Sequence, residues 1–182
     1  TLNGDVGFTT MPSISPLWTR TNYWSNPPYA TAGIDQSTAL IALNGRAPTF
    51  SFAPGAIDLA TDVTRTGTLG VYIAGVYDID GAANIGWGGT ITLSGACTYR
   101  FRINGALNTS ANSVVVWTNG ANACDVFWTP NGATTLNANS TFVGTVIPVS
   151  QDITILSSTS WIGRALTFGH TVTTPNSNVV IT

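Results

Sequence analysis

Apolar and polar residues alternate in short runs along much of this chain. Thr90-Ile91-Thr92-Leu93, Tyr99-Arg100-Phe101-Arg102-Ile103 and Ser113 to Trp117 read as half-buried strands. Val126 to Trp128, Phe142 to Ile147, Ile153 to Leu156, Trp161 to Phe168, Thr171 to Thr173 and Val179 to Ile181 continue the series. Turn clusters separate them, among them Asn104-Gly105, Asn119-Gly120, Asn131-Gly132 and Pro175-Asn176. Further upstream, Leu69 to Tyr77 also has strand character.

The pattern also repeats. Ser140-Thr141-Phe142-Val143-Gly144-Thr145-Val146-Ile147 returns nineteen residues later as Thr159-Ser160-Trp161-Ile162-Gly163-Arg164-Ala165-Leu166. Thr135-Leu136 returns as Thr154-Ile155, and Thr173 lies one further repeat along. A unit this short cannot bury its own apolar residues, so it predicts one coil of a solenoid. Asn-Gly pairs also suit hairpins, but the constant register favours parallel stacking. Three strands of four to six residues, plus three turns, would fill each coil.

The best helix lies over about 35–44. Asp35 is its expected N-cap and Gly45 its stop, with Leu40, Ile41 and Leu43 on the apolar side. A lone helix among coils has the flank of the solenoid to pack on.

Composition narrows the function. The 182 residues are expected to form one domain spanning 1–182, with regular coils over about 69–182. Only 8% of residues are charged, none is Lys or Glu, and the net charge is −2. Six scattered Arg cannot track a phosphate backbone, so nucleic acid is not an expected partner. No run approaches the roughly 18 apolar residues of a membrane helix, so membrane insertion is not expected. The chain opens without a basic region followed by an apolar run, as a mature secreted chain would. Short neutral polar side chains suit a surface that meets something uncharged: ice, glycan, or other copies of the protein.

Several of these residues carry a family resemblance. Asn104-Gly105-Ala106-Leu107-Asn108-Thr109, Asn119 to Trp128, Thr135-Leu136, Ser140 to Gly144 and Gly163-Arg164-Ala165-Leu166 resemble the microbial ice-binding proteins. Leu2-Asn3-Gly4-Asp5-Val6-Gly7 looks like that family's Asn-Gly-Asp turn. The resemblance runs from Gly75 to the end and is poor over Trp18 to Asp58. It implies an all-β dominated fold: a discontinuous right-handed β-solenoid of roughly triangular section with one accompanying helix. It also implies a non-enzymatic, extracellular or cell-surface protein without cofactor. Family members normally carry a strand before the Asn-Gly-Asp turn and a longer helix. Their lack here predicts either a fold that closes differently or an open N-terminal end at which a neighbouring copy supplies the strand, giving a homo-oligomer.

Four sets of residues are candidates for function. Thr135, Thr154, Thr171 and Thr173 alternate with Leu136, Ile153, Ile155 and Val172, so they are expected to face outward together. Thr109 would extend the column, although Leu107 shares its parity. Stacking repeats such residues at about 4.8 Å, close to spacings in ice. Thr is equally a good exposed strand residue with no ligand. Trp18, Tyr23, Trp24 and Tyr29 form an aromatic cluster for roofing the solenoid end, for a subunit interface, or for stacking on sugars. Cys97 and Cys124 each precede a strand by two residues; stacked strands would bring them within disulfide reach, the other reading being two free thiols. Asp78 and Asp80 share one side of a strand end and are read as turn caps, and His170 as a corner residue. No catalytic residue and no metal ligand set is expected. The leading reading is ice adsorption on a Thr-bearing face; the others are a self-assembling surface protein, as filament or layer, and a glycan adhesin.

Overall fold

The computed structural model describes residues 29–175 and the backbone of 180–181. Short parallel strands wind into successive coils. The first coil holds α1 (Tyr29–Asn44) upstream of β1 (Phe50–Ser51), β2 (Ile57–Asp58) and β3 (Val71–Tyr72). The next two are β4 (Gly75–Ile79), β5 (Ala83–Ile85), β6 (Thr90–Ser94), then β7 (Tyr99–Ile103), β8 (Leu107–Thr109), β9 (Val114–Thr118). The remaining strands are β10 (Val126–Pro130), β11 (Thr134–Leu136), β12 (Thr141–Val146), β13 (Ile153–Ile155), β14 (Ser160–Ala165), β15 (Val172–Thr173) and β16 (Val180–Ile181).

Three faces result. One is a six-stranded parallel sheet in the order β15-β13-β11-β8-β5-β2. The other two, β1-β4-β7-β10 and β3-β6-β9, are joined into one ten-stranded sheet by β12. Thr141 pairs Val114 of β9, while Thr145 pairs Phe127 of β10, so β12 runs round a corner that earlier coils make with separate strands. Gly144 takes that bend with φ +105°, and a Cβ there would lie 2.7 Å from the Val126 carbonyl oxygen. Glycine is the residue that adopts this backbone without steric cost.

That bend corrects the expected coil. Down the six-stranded sheet, Ala83 pairs Leu107, Leu107 pairs Thr134, Thr134 pairs Ile153 and Ile153 pairs Val172, advances of 24, 27, 19 and 19 residues. The nineteen-residue unit is confined to the last coils, where one bent six-residue strand and one three-residue strand replace three strands. The repeat pairs in register as read: Phe142 with Trp161, Val143 with Ile162, Gly144 with Gly163.

The interior is a column of rings. Tyr77, Phe101 and Trp128 occupy one register position on β4, β7 and β10, stacked at 4.9 and 4.1 Å between centroids. Phe142 and Trp161 continue it toward the C-terminal end. All five are fully buried. Stacking and area burial together make such rings the largest single contributors to the core. Polar tips are satisfied: Trp128 Nε1 donates to Val143 O at 2.9 Å and Trp161 Nε1 to Gly144 O at 2.8 Å.

The helix runs from Tyr29 rather than from near Asp35. Asp35 is an exposed interior position, not the N-cap. Gly45 follows the last helical residue as expected, its N–H bonded to Ile41 O. Leu43 is buried but Ile41 is 74% exposed, so the apolar side is narrower than the pattern implied. The helix is pinned at its C-terminal end. Arg102 Nη1 donates to the carbonyls of Asn44 and Arg46 at 2.5 and 2.7 Å, and Arg102 also pairs with Asp78. A cation fits there because unpaired carbonyls and the helix dipole converge. Thr129 Oγ1 donates to Asn44 Oδ1, and both residues lie on the β4-β7-β10 side. That face is therefore occupied by the helix.

Candidate functional site

Among the described residues the six-stranded face carries no helix. Its strands are two or three residues long, and the second residue of each points outward: in order Asp58, Asn84, Asn108, Thr135, Thr154 and Thr173. The flanking positions point inward, and Ala83, Ile85, Leu107, Leu136, Ile153 and Ile155 are essentially inaccessible. Spacing of about 4.8 Å per strand makes this column roughly 24 Å long.

A second outward column precedes it. Ala82, Ala106, Ala133, Asp152 and Thr171 are stacked by backbone bonds, as in Ala83 N to Ala106 O, Leu107 N to Ala133 O and Ile153 N to Thr171 O. Side-chain contacts tie the rungs. Asn108 Nδ2 donates to Asn84 Oδ1 at 3.2 Å, and Thr171 donates through N–H and Oγ1 to Asp152 Oδ1 at 2.8 and 2.9 Å. The two carboxylates on this face are committed to backbone: Asp58 Oδ1 accepts from Ala60 N and Gly86 N. The Thr171 bonds, with His170 nearby, hold the Asp152 carboxyl below its ordinary range.

Thr135, Thr154 and Thr173 are thus brought into one column, and Thr171 lies in the adjacent one. Thr109 is a correction. It is only 2% exposed, its Oγ1 accepts from Asn137 N at 2.8 Å and lies 3.2 Å from Ser140 Oγ. Leu107 and Thr109 both face inward, which explains their shared parity; the outward residue of that coil is Asn108. Val172 keeps its inward parity but is 43% exposed, being on the last rung.

Asn108, Asn84 and Asp58 were not among the expected site residues, yet a signal for them exists. Gly55-Ala56-Ile57-Asp58, Gly81-Ala82-Ala83-Asn84, Gly105-Ala106-Leu107-Asn108 and Gly132-Ala133-Thr134-Thr135 form a fourfold Gly-Ala-x-(Asp/Asn/Thr) motif. Its glycines stack: a Cβ at Gly105 would lie 2.7 Å from Ala82 N, and at Gly132 2.7 Å from Ala106 N. The motif escapes notice because the coils carrying it differ in length, and it fades where Gln151 and His170 replace the glycine.

The remaining candidates scatter. Cys97 and Cys124 are free, exposed thiols, not a disulfide. Their strands do pair, Tyr99 with Val126, but Cys97 sits at φ +103° and Cys124 in a 3-10 turn, so neither continues its strand. Asp78 is not a turn cap but lies within β4 and pairs with Arg102 across to β7, whereas Asp80, just past the strand, accepts from Asn104. Trp18, Tyr23 and Trp24 lie outside the described residues, and Tyr29 enters only as the first residue of α1. No group of three or more potential metal ligands occurs among the described residues, and no described helix is long and apolar enough to cross a membrane.

A β-solenoid with a helix along one face and a regular, open face on another defines the class of ice-binding-like proteins. The ice-binding-like family model matches residues 3–180, and the chain belongs to that family. Solved structures agree. The chain is 32% identical to an ice-binding protein from an Antarctic Flavobacteriaceae bacterium, with TM-score 0.78, covering 100% of this chain but only 42% of that one. An ice-binding protein from the Antarctic ascomycete Antarctomyces psychrotrophicus is 28% identical, TM-score 0.79, over 99% of this chain and 85% of that one. A glycosylated ice-binding protein from an Arctic yeast has the same fold at 19% identity, TM-score 0.79, over 99% and 83%. No curated protein matches the chain. Proteins of this family are ice-binding and non-enzymatic.

Proposed function

We propose that this protein adsorbs to ice through the six-stranded face. The observation that carries the reading is the geometry of that face: six in-register strands, uncovered by the helix, with short polar side chains stacked down one column. Each Thr offers a methyl and a hydroxyl, and Asn a short amide. Held on a stiff parallel sheet, they lose little rotamer freedom when an ordered water layer forms against them. Thr135, Thr154 and Thr173 would make the central contacts, with Thr171 and Asn108 flanking. The protein works in extracellular water, where ice grows, and the Lys-free, Thr- and Asn-rich composition fits that setting. Residues 1–182 act as one domain, for which a single cooperative unfolding transition is the check.

Thermal hysteresis and recrystallisation inhibition by the purified chain test the reading. Activity is expected, and Thr154→Tyr, which lifts a ring above the face, should abolish most of it. Equal activity in Thr154→Tyr and the parent would overturn this choice of face.

A further inference from the structure

The corner that leads from the six-stranded face to the β3-β6-β9 face is built with the same regularity as the sheet. Gly88, Asn112, Asn139 and Ser158 occupy one position in successive coils, all left-handed, with φ of 64°, 61°, 57° and 58°. Their backbones are stacked: Gly88 N donates to Ala111 O, Asn112 N to Ala138 O and Asn139 N to Ser157 O, at 2.9 to 3.2 Å. A column of buried hydroxyls supports the corner from inside. Ser140 Oγ donates to Asn137 O at 2.5 Å, and Thr159 Oγ1 donates to Asn137 O and Leu156 O at 3.1 and 2.8 Å. The outer surface therefore turns the corner without losing its rung spacing.

Just past the corner stands a third outward column. Thr90 pairs Val114, Val114 pairs Thr141 and Thr141 pairs Ser160, four rungs on β6, β9, β12 and β14. Thr90 and Ser160 are exposed, and Val114 and Thr141 half-buried. The next column inward, Val71, Thr92 and Val116, is again neutral and half-buried. These outward positions hold no charge at all. The helix-bearing face differs: its outward positions include Asp78, Arg100 and Arg102.

We propose that the ice-contacting surface wraps this corner, so that the Thr90–Val114–Thr141–Ser160 column engages a second plane of crystalline water. This rests on the ice-binding reading above. Ice is the fitting occupant because the column is neutral, pairs hydroxyls with methyls, repeats at the strand spacing of about 4.8 Å, and is continuous with the proposed site. A protein partner would be expected to dock on aromatic or charged anchors; the column itself has neither, the exposed Trp87 at the corner and Trp117 on β9 lying beside it.

The test is ice-plane affinity with fluorescently labelled protein on single-crystal hemispheres. The parent should label two families of planes. Thr90→Tyr and Ser160→Tyr, at exposed positions that leave the fold intact by circular dichroism, should each erase one family and keep the other. Thr154→Tyr should do the converse. If the parent labels one family and Thr90→Tyr and Ser160→Tyr leave pattern and hysteresis unchanged, the wrapped surface is wrong and the six-stranded face stands alone. If the parent labels no plane, ice binding itself fails and this inference with it.

Discussion

Asn108 Nδ2 donates to Asn84 Oδ1 across β8 and β5, on the outward column that carries Thr135 and Thr154 one and two coils beyond Asn108. The same column thus changes chemistry along its length, from carboxamides that bond one another to hydroxyls free to meet water. The half proposed to meet ice is the one with the shorter, more regular coils.

Thr154→Tyr should leave stability nearly unchanged, within about 0.5 kcal/mol, because the site is on the surface. Hysteresis should nevertheless fall by most of its value. Matched melting curves beside hysteresis readings separate a lost contact from a lost fold.

Thr109→Val should act in the opposite sense. Removing the hydroxyl leaves the Asn137 N–H without its acceptor inside the corner, a loss of about 1–3 kcal/mol. Urea denaturation is expected to show the drop, while ice-plane selectivity of the folded fraction stays that of the parent.

Gly105→Ala tests the close stacking of coils. The added methyl would meet Ala82 N and the Gly81 carbonyl carbon at 2.7 and 2.8 Å, both rigid backbone. Overpacking of that kind costs about 1–3 kcal/mol. Gly67→Ala, which unlike Gly105 is at positive φ (77°) but has nothing within 4 Å, should cost less, about 1 kcal/mol. A melting series that reverses this order would contradict the stacked-glycine corner.

Alkaline pH should unfold the protein before its buried phenols titrate freely. Burial pushes Tyr99 up to about 12, and raises Tyr72 and Tyr77 as well. Tyr99 and Tyr72 also donate hydrogen bonds, to Gly95 O and Leu59 O at 2.8 Å. A raised folded-state value means the stabilising contribution is complete below the ordinary phenol value near 10 and is lost as pH rises toward the folded value. Ultraviolet phenolate titration is expected to lag free tyrosine and then rise with loss of circular dichroism. At the acid end the sign reverses: Asp152, held low by Thr171, contributes above the ordinary carboxylate range and loses that contribution as pH falls below it.

Part of this was legible in the residues themselves. The register of Phe142 with Trp161 and of Thr135 with Thr154 follows from local alternation plus a constant spacing, and both are properties of a linear string. The pairing of Tyr99 with Val126, 27 residues apart, falls outside that spacing. The cysteines beside that pair were misread because turn backbones, unlike strands, do not keep side chains at a fixed offset. Tyr29 as the helix start was missed since a capping residue inside a helix looks the same as one at its end.

By itself the sequence determined that this chain is a stack of parallel coils with Thr135, Thr154 and Thr173 aligned, because strand parity and repeat length are local and additive. Tertiary structure alone decided which face is open. Arg102 and Thr129, far from the helix along the chain, hold its C-terminal end on β4-β7-β10. It also decided that Thr109 lies inside and Asn108 outside. Parity within one strand cannot say which side is the core until neighbouring coils of unequal length are laid on top of it.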